Sequence, residues 1–266
     1  MSVFFHQYFD FHIWSDNFSF ILRGFGQTLE LSALSGALAL IWGLILALLR
    51  QLPGRAAAPV RWVTIAYIDA FRGVPLLLTL LLISGSLPFI FTGSLRFIGL
   101  PEWFGKSDPF WYGAFAITLT YGAYMAEVYR AGIEAVPRGQ MEAARSLGMS
   151  HRQSMRRVIV PQAIRKVIPP LLNDFIALMK DTSLVSVLSL VEVVKAGQIV
   201  QGNTFNSSGY TLGALFFLIF TIPLARFVDW LIAREQKRTQ RGGGSGDVPS
   251  ALQPLPNTGA AAVGRT

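Results

Sequence analysis

Long apolar runs alternate with short polar, arginine-bearing segments, and this alternation predicts five membrane-spanning helices. The first runs from about Phe25 to Leu49, and the second lies within Trp62 to Phe91. The third covers about Phe110 to Ala135, the fourth Val167 to Val194, and the fifth Tyr210 to Ala233. The predicted fold class is all-α integral membrane, with a helix-turn-helix loop between the third and fourth spans. Residues 1–19 read as an external, aromatic, amphipathic lead-in, and 20–234 as the transmembrane domain. Residues 235–266 read as a disordered cytoplasmic tail, being rich in Gly, Ser, Pro and Ala.

Polar residues inside the spans modify this outline. In the first span Ser32 with Gly36, and Ala33 with Ala37, place small residues four apart, so another helix can approach closely. In the second, Asp69 and Arg72 stand three apart and are expected to form a structural pair. Gly73-Val74-Pro75 then predicts a bend or interruption, and Pro169-Pro170 a kink at the start of the fourth span. Arg130 and Arg226 lie near span ends and are expected to snorkel. Holding a charge at mid-bilayer costs at least about 2.5 kcal/mol. Glu127, Lys180 and Asp181, with Asn173, Thr182 and Ser183, therefore read as lining a polar passage or as forming a gate hinge.

Composition agrees with membrane insertion: 52% of residues are hydrophobic and only 14% charged. The net charge of +8 does not point to nucleic acid. Its arginines and lysines gather in loops where an orientation rule accounts for them, and no groove-reading motif is present. Arg50, Arg55 and Arg61, the basic central loop, and the residues after Arg234 share one side, which predicts the amino terminus outside and the carboxyl terminus cytoplasmic. With no cysteine and only scattered His6, His12 and His151, no metal centre is expected. A phosphate-binding glycine loop, a nucleophile elbow and a His-Glu zinc motif are all missing, so the chain does not read as an enzyme.

The segment 137–161, PRGQMEAARSLGMSHRQSMRRVIVP, is the most informative. It predicts a short helix from about Arg138 to Leu147, with Ala143 and Ala144 on its surface. Gly148 can end that helix in the left-handed conformation. Ser150 and Gln153 form a capping-box pattern for a second helix, and Pro161 stops that helix or begins the next element.

Glu142-Ala143-Ala144, three residues, Gly148, nine residues, then Val158-Ile159-Val160-Pro161 resembles the EAA loop of ATP-binding-cassette importer permeases. Arg72-Gly73-Val74-Pro75-Leu76, Gly122-Ala123-Tyr124, Glu127, Arg130, Gly132, Pro161-Gln162-Ala163, Asn173 and Lys180-Asp181-Thr182-Ser183-Leu184 are similar to the polar amino acid permeases of that group. The likeness covers about Gly24 to Arg234. It departs from the family at Val158 and Val160, where Ile and Leu are usual, and at Thr79, where a Gln is common.

The resemblance implies a type I importer permease fold, with the loop coupling to a cytosolic ABC ATPase dimer. Gly139, Glu142, Ala143, Ala144, Gly148, Met149, Ser150 and Pro161 are its implied coupling residues. It also implies a second permease, identical or homologous, an external solute-binding protein and a polar amino acid substrate, in a bacterial inner membrane. No cofactor is expected in this chain, since the partner ATPase uses the ATP. An ion-coupled secondary amino acid transporter is the alternative, disfavoured because five spans carry no inverted repeat.

Overall fold

The structure, a computed structural model, describes residues 2–89 and 108–242. Those residues are helical almost throughout, with no strand among them. In order they form α1 (Ser2–Tyr8), α2 (Phe11–Arg50), α3 (Ala58–Gly73), α4 (Leu76–Phe89), α5 (Pro109–Glu134) and α6 (Arg138–Ser146). Then follow α7 (His151–Ser154), a π-turn (Met155–Ile159), α8 (Val160–Asp181), a 3₁₀ segment (Thr182–Leu188), α9 (Val193–Thr204) and α10 (Ser208–Gly242). The connection between the second and third expected spans lies largely outside the described residues, as does the tail beyond Gly242.

Helix α2 runs without interruption from the aromatic lead-in into the first span, started by Asp10, whose carboxylate accepts from the amides of His12 and Ile13. The lead-in is tied to the turn between α9 and α10. Ser207 N donates to Gln7 O (2.9 Å), Asn206 Nδ2 to His6 O (2.9 Å), and Trp14 Nε1 to Ser208 O (2.9 Å).

Phe5–Arg50 and Ser208–Arg234 are long and apolar enough to cross a bilayer unaided. Two bent helix pairs are apolar enough to serve as further spans if each is taken as one. Ala58–Gly73 and Leu76–Leu87 meet at 110° at the expected Gly73-Val74-Pro75 break, and the run His151–Leu188 meets Val193–Thr204 at 49°. Helix α5 is long enough at about 39 Å. It is less apolar because it is the bundle's inner helix: Tyr112, Gly113, Thr118, Thr120, Tyr121, Gly122 and Ala123 are buried against protein, where lipid solubility is not required.

Small residues set the helix spacing. A Cβ on Gly43 would meet the Gly122 carbonyl oxygen at 2.8 Å, and one on Gly36 would lie 2.8 Å from the Phe175 ring. Ser32 and Gly36 are buried as expected, whereas Ala33 and Ala37 face outward. Trp42 Nε1 donates to Tyr67 Oη, and Tyr67 Oη donates to Leu119 O, both at 2.9 Å, which links α2, α3 and α5.

The fourth span departs from the expected continuous helix. It ends at Asp181, passes through the 3₁₀ segment, and restarts at α9, which runs on past the expected end of the span at Val194. Ser189 takes φ 67°, and the carboxylate of Glu192, 0% exposed, caps α9 by accepting from the amides of Val194 (3.0 Å) and Lys195 (2.8 Å). Thr28 Oγ1 adds a 3.5 Å contact to the same carboxylate. Gly24 makes room for this corner, since a Cβ there would lie 2.9 Å from Ala196 Cβ.

Candidate functional site: the elbow and the helix that leaves it

Helix α6 and the α7–α8 run form an elbow beside the ends of α5 and α8. Gly148 turns the chain with φ 82°, as its position predicts. Ser150 Oγ accepts from Gln153 N (3.3 Å) and Gln153 Oε1 accepts from Ser150 N (3.0 Å), completing the capping box. Beneath the elbow, Val136, Ile159 and Ala163 form a small core flanked by Ile133, Met141, Met155 and Val158.

One expectation for the elbow changes and another is met. The two alanines are not equivalent: Ala143 is exposed, but Ala144 is 4% exposed and packs inward. A nine-residue helix lying on a core must turn one flank toward it; α6 turns Met141 there, and Ala144, three residues on along the same flank, is buried with it. Pro161 begins the next element, one of its two expected places: it stands in the first turn of α8, which follows the π-turn without a gap. Its missing N–H is absorbed by the π-turn just before it, where Val160 N–H reaches Met155 O. Residues 151–181 are thus one helical run joining the elbow to the fourth span. Glu142, Ala143, Leu147, Gly148 and Ser150 face outward, and Leu147 is 80% exposed. The spacing pattern does not reveal this exposure.

Along α8, Pro170, Asn173, Ala177 and Lys180 share one exposed face at spacings of three and four. Asp181 is half-buried and accepts from Tyr121 Oη at 2.8 Å. Thr182 is buried, its Oγ1 donating to Met179 O (2.7 Å), while Ser183 is half-buried. Asp174, not singled out by motif, is half-buried, and its Oδ2 has no hydrogen-bond partner. The signal for it was available: an acidic residue within an apolar span.

Glu127 sits elsewhere, in an ion-pair chain at the elbow end of α2 and α5. Arg50 Nη1 lies 2.7 Å from its Oε2, and Arg130 holds its Oε1 and also reaches Glu134. Arg130 is therefore paired, not snorkelling; a carboxylate one turn away on either side satisfies its fork. The expected Asp69–Arg72 pair does not form. Both residues are exposed, and the Arg72 guanidinium lies 6.0 Å over the Tyr124 ring on α5. A ring on the neighbouring helix outcompetes a solvated i,i+3 carboxylate. Arg226 is exposed, 3.9 Å from Asp229.

Apolar helices long enough to cross a membrane, two bent pairs among them and an exposed elbow are the architecture of a multi-pass membrane protein. A family model described as binding-protein-dependent transport system inner membrane component matches residues 39–237, and the chain belongs to that family. It is 37% identical over 223 residues to the probable glutamine ABC transporter permease protein GlnM of Bacillus subtilis (strain 168), covering 84% of this chain and 96% of that one. Over 209 residues it is 37% identical to the L-cystine transport system permease protein TcyB of the same organism, covering 79% and 78%. A solved amino acid ABC transporter with histidines superposes with TM-score 0.72 at 33% identity, covering 85% of this chain and 98% of that chain. The inward-facing MetNI methionine ABC transporter, at 18% identity, shares the fold with TM-score 0.66, covering 82% and 97%. The chain is thus an inner-membrane permease subunit of an ABC importer. In such systems the ATPase activity belongs to a partner subunit.

Proposed function

We propose that this permease carries a polar amino acid, in a pair with a second copy or a homologous permease. The amino terminus faces outward, toward a solute-binding protein, and the carboxyl terminus lies in the cytoplasm. A cytosolic ATPase dimer, which uses the ATP, docks on the elbow through Glu142, Ala143, Leu147 and Gly148. Gly139, Met149 and Ser150 shape that surface, Ala144 supports it from within, and Pro161 lies on the helix that leaves it. Asn173 and Lys180 on α8 face the route, and Asp174 and Asp181 stand beside it as acceptors. A zwitterion needs both acceptors and donors along its path. The glutamine, cystine and amino acid systems named among the relatives support this substrate class.

One observation carries the coupling: residues 151–181 form a single helical run from the elbow to Asp181. A displacement imposed at Ser150 therefore reaches the polar face of α8 without crossing a loop. The test is uptake of radiolabelled polar amino acids into proteoliposomes holding the permease, its ATPase and its binding protein. ATP-dependent uptake that is lost on Ala143→Trp, with the ATPase still bound, supports the assignment. Uptake that follows an ion gradient without ATP defeats it.

A further inference from the structure

Three arginines next to the elbow are left without a task by this reading. Arg152, Arg156 and Arg157 line one open cleft of about 610 Å³ together with Ser150 and Gln153. All three are exposed, and none has a carboxylate within ion-pair distance among the described residues. Gln153 and Ser150 are occupied with each other in the capping box, so the unsatisfied groups of the cleft are guanidiniums. In a regular α-helix Arg152 and Arg157, five residues apart, would point about 140° away from each other. The π-turn over Met155–Ile159 adds a residue to that turn, which lets Arg157 swing in beside Arg152 and Arg156.

The same helix continues with Val160, Ile164 and Ile168, which are 38%, 50% and 41% exposed at a spacing of four. This apolar stripe runs about 12 Å from the arginine cleft toward the span. It is distinct from the polar face, because Pro170 stands two residues after Ile168 and so on the far side of the helix. A cationic cleft at the foot of an exposed apolar stripe matches one ligand chemistry. A phosphodiester suits three guanidinium forks, and acyl chains suit branched aliphatic side chains.

We propose that Arg152, Arg156 and Arg157 bind the phosphodiester of an anionic phospholipid in the leaflet on the elbow side, with its acyl chains along Val160, Ile164 and Ile168. The site rests on the chain's membrane insertion and not on the identity of the transported solute. A lipid held there ties the first turns of the helical run to the membrane surface.

The test uses the full-length permease in detergent and native mass spectrometry. Phosphatidylglycerol and phosphatidylcholine of equal chain length are offered in competition, and inorganic phosphate is added as a free anion. The intact permease is expected to retain phosphatidylglycerol in preference, undisturbed by millimolar phosphate. Removing basic contacts worth several-fold each should cut that preference at least about tenfold in R152Q/R156Q/R157Q. I164S/I168S should weaken retention while leaving the arginines in place, and R165Q, outside the cleft, should keep it. The single substitution R157K, which keeps the charge but loses the fork, guards against misfolding of the triple variant and should lower the preference several-fold. Equal retention by the triple variant and the intact permease overturns the proposal, as does displacement of the lipid by phosphate. So does loss of ATPase binding by the triple variant in pure phosphatidylcholine with no lipid preference in the intact permease, which would make the cleft a protein contact.

Discussion

Arg50 Nη1 rests 2.7 Å from Glu127 Oε2, joining the last turn of α2 to α5 at the level of the elbow. Both side chains are about three-quarters shielded, and Arg130 holds the other oxygen of the same carboxylate. Glu127 is the centre of this cluster, so neutralising it leaves two guanidiniums facing each other. Glu127→Gln is expected to lower stability by about 1–3 kcal/mol, short of the full penalty for a buried pair because solvent reaches the cluster. Thermal unfolding in detergent measures it. An unchanged melting temperature would mean that water already screens the pair.

Tyr121 and Asp181 make a second such link, from α5 to the last residue of α8, where the helix gives way to a 3₁₀ segment. Tyr121→Phe removes the hydroxyl and leaves the carboxylate short of its donor. The expected cost is about 1–3 kcal/mol. Reduced uptake with normal ATPase binding is expected as well, since the break in the fourth span loses its tether. Wild-type uptake kinetics in this variant would show that the hydrogen bond does not position the break.

Gly132 lets α5 meet α8 just above the elbow. A Cβ there would fall 2.0 Å from Val167 Cγ1, so Gly132→Ala must push the helices apart. A loss of about 1–3 kcal/mol is expected. The companion change Val167→Ala should restore most of it, because it removes the methyl groups in the way. If the double variant is as unstable as the single one, the close approach is not what selects glycine at this position.

The two alanines of the elbow should separate in function. Ala143→Trp adds bulk on the exposed flank and is expected to leave the melting temperature unchanged while abolishing ATP-driven uptake. Ala144→Trp adds it toward the small core of Val136, Ile159 and Ala163 and is expected to destabilise the elbow itself. Limited proteolysis between residues 137 and 161 reads that loss directly. Equal behaviour of the two variants would contradict the orientation of α6.

Much of this was legible from residue patterns. The 110° break at Gly73-Val74-Pro75, the turn at Gly148 and the capping box at Ser150 all follow from local backbone preferences, which a sequence states openly. What stayed hidden depends on neighbours distant in the chain. The 3₁₀ segment after Asp181 carries no Gly or Pro to announce it. Helix α9 is capped by a glutamate, outside the usual capping set, that relies on Thr28 from the first span. Arg72 left Asp69 for a ring on another helix, a choice that i,i+3 spacing cannot foresee. The convergence of Arg152 with Arg157 requires a π-turn, and α-helical periodicity places them apart.

The stiffness of the run from His151 to Asp181 sets what kind of movement the subunit can make. A rod of about 45 Å yields only where its ladder of backbone bonds is incomplete, at the π-turn ahead of Pro161 and at Pro169-Pro170. The stretch between these two joints behaves as a rigid lever roughly 12 Å long. A small shove from below is therefore delivered to the far half of the helix as tilt, and the size of that swing is built into the spacing of three prolines.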